Sequence, residues 1–162
     1  MIHIRTARQE ELPLLTGIMI QSFRTAFAGF VSRETLEKNT VEENCLALLE
    51  AVYRDNTMHF LTDGKFGMLV WQNQGDSAEI IALHTLPESH GTGLGRELLS
   101  AALRQIGTRP TVLWAFAENT RARRFYEKNG FHHDGNTRIS EFDGAVEVRY
   151  TNEYSPTKRN VP

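Results

Sequence analysis

A chain of 162 residues and 18.4 kDa, 40% of them hydrophobic, has material for one sizeable core and, at the usual length per domain, for one domain. Its formal charge of −2 gives no overall attraction to nucleic acid or to an anionic membrane and argues against both as partners. The single cysteine, Cys45, excludes an internal disulfide and a cysteine-based metal cluster, the N-terminal MIHIRTARQEEL has no apolar signal core, and no run approaches the ~18 apolar residues of a membrane span, so a soluble cytoplasmic protein is expected.

In chain order, Ile2, Ile4 and Thr6 alternate with polar residues as a short strand does. The period then changes: Leu12, Leu15, Met19, Phe23, Ala26, Phe27 and Phe30 recur at helical spacing, with Pro13 tolerated near the first turn. Gly29 to Asn39 reads as loop. Thr40-Val41-Glu42-Glu43 has the form of a capping box, and Cys45, Leu48, Leu49 and Val52 continue behind it as an amphipathic helix. Cys45 sits on that apolar stripe without an activating neighbour, so it reads as a small buried hydrophobe and not as a nucleophile. Met58 to Thr62, Phe66 to Gln72 and Ala78 to Leu86 read as strands of a meander, with turns at Asp63-Gly64 and Gln74-Gly75-Asp76.

The most informative stretch is Glu79 to Arg96, EIIALHTLPESHGTGLGR. An apolar, β-branched strand is stopped by Pro87, a glycine-rich loop follows, and Leu94, Leu98, Leu99, Ala102, Leu103 and Ile106 then take up helical spacing. Strand, glycine loop and helix in that order aim unpaired backbone N–H groups and the positive end of a helix dipole at one point, the geometry of a phosphate cradle. A tight turn with close packing is the competing reading. No Gly-Lys-Ser/Thr closes the loop as in a Walker A motif, and its mid-chain position fits a dinucleotide fingerprint poorly. The helix ends near Gly107, and Val112 to Ala117 alternate as a buried strand. The segment ENTRARRFYEKNGF then reads as a short helix capped by Asn119 or Thr120, with Ala122, Phe125 and Tyr126 inward and Asn129-Gly130 as its stop. Phe131 to Ile139 and Val146 to Thr151 complete a hairpin about Asp143-Gly144, and Ser155 to Pro162 reads as a loose tail behind a single domain of residues 1–154.

Two of these segments carry a resemblance. His90-Gly91-Thr92-Gly93-Leu94-Gly95 resembles the pyrophosphate loop of the GNAT superfamily of N-acetyltransferases, Arg or Gln, two residues, Gly, one residue, Gly or Ala, with His90 in place of the first Arg or Gln. Asn119, Ala122, Phe125, Tyr126, Gly130 and Phe131 match every position of that superfamily's second signature, in the same order along the chain. The resemblance implies an α/β fold of the α+β type: a mixed, mostly antiparallel sheet of about seven strands flanked by about four helices. It also implies acetyl-CoA as cofactor, held on the amides of Gly91, Thr92, Gly93, Leu94, Gly95 and Arg96 with help from His90. The pantetheine arm would lie beside Leu83, His84 and Thr85, Asn119 would touch the cofactor, and Arg96, Arg121, Arg123 and Arg124 are candidates for the outer phosphates.

By the same resemblance Tyr126 protonates the departing thiolate and touches the cofactor, while Glu79 is the candidate base and Phe23, Phe27 and Phe30 border the substrate pocket. His84 is a second candidate base, or a hydrogen-bonded structural histidine. His132 and His133 point to opposite faces of a strand and make a poor metal site. The expected reaction is direct acetyl transfer to the primary amine of a small molecule in a ternary complex, with a protein or peptide acceptor as the alternative. A non-catalytic acyl-CoA sensor or interaction module is the reading of another class, and nucleotide binding by the same loop is a third. The C-terminal hairpin, a sheet edge and the tail are candidate contacts for a homodimer.

Overall fold

A computed structural model describes residues 1–141 and 144–153. Seven strands form one sheet: β1 (Arg5–Thr6), β2 (Met58–Thr62), β3 (Gly67–Asn73), β4 (Ala78–Thr85), β5 (Thr111–Phe116), β6 (His132–Ile139) and β7 (Val146–Thr151). Their spatial order is β1-β2-β3-β4-β5-β7-β6, and every neighbouring pair is antiparallel except β4 and β5. A parallel pair needs a crossover, which is supplied by the helix α4 (Leu94–Ile106). The other helices are α1 (Leu12–Ala26), α2 (Arg33–Asn39), α3 (Glu42–Tyr53) and α5 (Thr120–Lys128).

The sheet is covered on both faces. Leu61, Leu69, Trp71 and Ile80 point to α4, where they meet Leu94, Leu98, Leu99, Ala102 and Ile106. Phe60, Met68 and Val70 point the other way, to Leu12, Leu15, Ile18 and Met19 of α1 and to Cys45 and Leu49 of α3. β3 is therefore buried over its whole first half, Gly67 to Trp71, as a strand between two helical layers must be. Burial of Leu or Ile on this scale stabilises by roughly 1.5–3 kcal/mol per side chain, so these two clusters anchor everything that the site is built on.

The strands of the central meander lie within a residue or so of their predicted bounds, but the helical half differs in three ways. α1 ends at Ala26 with Phe27 as its C-cap, so Phe30 lies beyond the helix and not on its stripe. The expected loop before Asn39 contains α2, started by Ser32, whose hydroxyl accepts the Thr35 N–H at 3.1 Å. The capping box at Thr40 does not form, because the Thr40 hydroxyl closes the end of α2 instead by donating to the Leu36 carbonyl at 2.6 Å. Ile2 and Ile4 pack on the α4-side core ahead of β1, which is only two residues long. Gly144 follows the hairpin turn, where its N–H donates to the Ser140 carbonyl; Asp143 and the tail Ser155 to Pro162 lie outside the described residues.

Candidate active site

β4 and β5 pair over three positions only, Ala78 with Thr111, Glu79 with Val112 and Ile80 with Leu113, and then part. The Leu86 N–H donates to the Phe66 carbonyl, so by the alternation of an antiparallel ladder His84 and Ala82 turn their backbone groups to β3. Leu83 and Thr85 turn theirs into the gap that β5 leaves. At the parting point β4 carries a one-residue bulge: Val70 faces Ala82 but Trp71 faces Ile80, leaving Ile81 unmatched. In a regular strand residues 79 and 84 would lie on opposite faces. The extra residue puts Glu79 and His84 on the same face, toward α1.

A cleft of about 1120 Å³ runs along this gap. At one end lies the glycine loop. Gly91 and Gly93 have φ of 80° and 88°, the left-handed region that only glycine enters cheaply. That path leaves the N–H groups of Gly91, Gly93, Leu94, Gly95 and Arg96 without an acceptor among the described residues, at the N-terminus of α4. Thr92 differs, since its N–H donates to the Ser89 carbonyl at 3.2 Å and its side chain does not line the cleft. His90, Arg96 and Arg121 border this end, and the two guanidiniums make it cationic. Arg123 is engaged elsewhere, donating to the Tyr150 hydroxyl and the Ala117 carbonyl, both at 2.9 Å.

Midway, α5 presents two side chains. Asn119 caps the helix by accepting the Ala122 N–H at 3.2 Å, which leaves its amide NH₂ for the cleft that it lines. Tyr126 is buried between Phe125, Phe131 and Tyr150, and its hydroxyl makes no hydrogen bond among the described residues. Burial pushes the phenol well above its ordinary value, so it stays protonated across the physiological range.

The far end is aromatic and acidic. Phe116 packs edge-on to Phe27 at 5.0 Å between centroids, Phe27 meets Phe23 at 5.2 Å, and Phe23 meets His84 edge-on at 5.0 Å. Phe30 stands behind this wall, 5.3 Å from Phe116, and does not line the cleft. His84 Nδ1 lies 3.1 Å from Ser22 Oγ, and burial lowers its pKa to about 4, so it is neutral. Glu79 is half-buried; burial raises its carboxyl, offset in part by the Arg138 guanidinium and by the indole N–H of Trp114 within hydrogen-bonding reach. Arg138 itself lies over the Trp114 ring at 4.2 Å and pairs with Glu147 at 2.8 Å.

Residues 48–133, just over half of the chain, match the family model described as an acetyltransferase (GNAT) domain. The chain belongs to the GNAT acetyltransferase family. Over 62 residues it is 40% identical to the protein named Probable N-acetyltransferase Rv2775 of Mycobacterium tuberculosis; the match spans 38% of this chain and 36% of that one. This GNAT fold also resembles the PaiA N-acetyltransferase of Thermoplasma acidophilum in complex with coenzyme A, with a TM-score of 0.76 and 23% identity over 94% of this chain and 98% of that one. A crystal structure of histone acetyltransferase HPA2 and related acetyltransferase from Corynebacterium glutamicum is similar too, with a TM-score of 0.71 and 18% identity over 94% and 96%.

The family's cofactor is acetyl-CoA, and the GNAT chain has the groups such a molecule needs. Five N–H donors without acceptors among the described residues suit a pyrophosphate, and the open backbone of Leu83 and Thr85 suits an amide-bearing arm. The structure brings Glu79, Leu83, His84, Thr85, His90, Gly91, Gly93, Leu94, Gly95, Arg96, Asn119, Tyr126, Phe23 and Phe27 to one cleft. Sequence reasoning missed Ser22, Trp114, Phe116, Arg138 and Glu147. Trp114 and Phe116 carried a signal, since they share one face of a strand that was legible; Arg138 and Glu147 arrive only through the strand order β5-β7-β6.

Proposed function

We propose that this chain is an N-acetyltransferase that moves the acetyl group of acetyl-CoA to the primary amine of a small molecule by direct attack within a ternary complex. The observation that carries the reading is the single cleft that joins a cradle of unpaired amides, a buried protonated phenol and a half-buried carboxylate. Bound acetyl-CoA supplies the activated thioester. The amides of Gly91, Gly93, Leu94, Gly95 and Arg96 hold its phosphates, with Arg96 and Arg121 adding positive charge and His90 a ring nitrogen, and Asn119 and the exposed backbone of Leu83 and Thr85 orient the arm. The Glu79 carboxylate, raised by burial, takes the proton of the incoming ammonium, directly or through one water. Tyr126 Oη holds the proton that leaves with the thiol product. His84 is neutral and bonded to Ser22, a better match for fixing α1 against β4 than for a base. A carboxylate, a phenol and a cradle lining one cleft favour turnover over a passive acyl-CoA sensor.

The test is thiol release from acetyl-CoA across a panel of primary amines and short peptides, with coenzyme A binding measured in parallel. Amine-dependent release is the expected result. Tight binding with no release from any acceptor would favour the sensor, and absence of binding would defeat both.

A further inference from the structure

We infer that the acceptor is a primary monoamine carried on an apolar body of aromatic size, an inference that rests on the N-acetyltransferase reading above. On the α1-side face, the parting of β4 and β5 is fenced by Glu79, Trp114, Phe116, Phe27, Phe23 and His84. The fence is continuous: Trp114 reaches Glu79, Phe116 lies two residues along the same strand face, and ring contacts of 5.0, 5.2 and 5.0 Å carry it through Phe27 and Phe23 to His84. His84 brings no charge to it. A guest here meets the rings of Trp114, Phe116, Phe27 and Phe23 as its apolar surroundings and finds polarity at Glu79, Ser22 and the Arg138–Glu147 pair.

The charges set how many cationic groups the guest can carry. Three carboxylates share this sheet face, and two are already matched: Glu147 by Arg138 at 2.8 Å and Asp134 by Arg149 at 2.6 Å. Glu79 is in no salt bridge among the described residues. Glu79 feels Arg138 and Arg149 only from beyond ion-pair distance, so it has a place for one ammonium. A polyamine or a basic peptide would have to leave further cations beside aromatic rings without a counter-charge, which costs more than water does. Arg138 does not compensate as an anchor for an acceptor carboxylate, because Glu147 and the Trp114 face already hold it. The Arg138–Glu147 pair is thus a specificity device: it cancels the second negative charge that a diamine would use.

The experiment compares kcat/KM for 2-phenylethylamine, ethylamine, spermidine and a lysine-containing tripeptide with the full chain and acetyl-CoA. Burying a phenyl group predicts at least a ~10-fold preference for 2-phenylethylamine over ethylamine, and a similar margin over spermidine and the peptide. Arg138→Ala, on a solvent-exposed edge strand, leaves Glu147 unmatched; the ratio of 1,4-diaminobutane to 2-phenylethylamine turnover then rises by ~5-fold or more, with the melting temperature checking the fold. Equal or better use of spermidine, the peptide or ethylamine would overturn the inference while leaving acetyl transfer standing. An unchanged ratio in Arg138→Ala would overturn it as well, whereas coenzyme A binding with no amine acetylated would overturn it together with the reading on which it rests, in favour of the sensor. Failure to bind coenzyme A would instead defeat the reading on which the inference rests.

Discussion

At Tyr126 the local packing and the proposed chemistry make the same demand. A phenol whose ring packs among Phe125, Phe131 and Tyr150 is raised by burial above its ordinary value, so it stays protonated across the physiological range and reaches the cleft as an acid. Phenylalanine fills the same volume without the proton, so Tyr126→Phe is expected to lower kcat by about 10-fold or more with coenzyme A affinity unchanged; stopped assays and calorimetry check the two halves. Glu79 makes the complementary prediction. Its carboxyl is raised above 4.5 by burial, so the proton-accepting form appears only as pH rises through that higher value. The acid limb of the kcat profile therefore lies above the ordinary carboxylate range, and Glu79→Gln removes it while lowering kcat by about 10-fold or more.

At the scale of the element, the glycine loop is sensitive to a single methyl group. No atom lies within 4 Å of a Cβ added at Gly93, so the objection to alanine is conformational: φ of 88° costs an L-residue about 1–2 kcal/mol. Relief of that strain would turn the amides of Gly93 and Leu94 out of line. Gly93→Ala is expected to weaken coenzyme A binding by about 10-fold in a titration while lowering the melting temperature only slightly. This loop and the α5 segment were the legible parts of the site, because each is a local device in which strand, turn and cap follow one another within twenty residues. α2 was not legible, since Ser32 competes as a cap with a nearby Thr40 that looks the better candidate and in fact terminates the helix. Nor was the bulge at Ile81, because an extra residue in a strand is set by its partner and leaves the alternation of a β-branched run readable either way. The pairing of Arg138 with Glu147 required knowing that β7 inserts between β5 and β6.

For the molecule as a whole, two buried groups tie stability to pH in successive windows. His84 titrates near 6.5 when unfolded but at about 4 when folded. The unfolded chain takes up the proton first, so stability falls as pH drops from about 6.5 to 4, by up to about 3 kcal/mol. Glu11 accepts from both terminal nitrogens of Arg5 at 2.8 and 2.6 Å and from the Arg8 N–H at 2.8 Å, which brings it from 4.5 down to about 2. Its contribution is complete above 4.5 and is lost between there and about 2, worth about 2 kcal/mol for charge-assisted hydrogen bonds. Urea unfolding at pH 7, 5 and 3 should show two steps of loss. His84→Gln flattens the first and Glu11→Gln the second; a single step unaffected by either variant would contradict the assignment.

Ile81 is 43% exposed, so most substitutions there fall within about 0.5 kcal/mol and a mutational scan would mark the position as permissive. Deleting the residue is another matter. The interval from Glu79 to His84 then falls from five residues to four and a regular pleat still puts both on the α1 side; what is lost is the bend and added twist of the bulge at the point where β4 parts from β5. Information at this position is thus carried by chain length and not by side-chain identity. A gap aligned there keeps both flanks in phase, whereas a graft of the whole strand onto a partner that does not accommodate the bulge carries the right amino acids in the wrong phase.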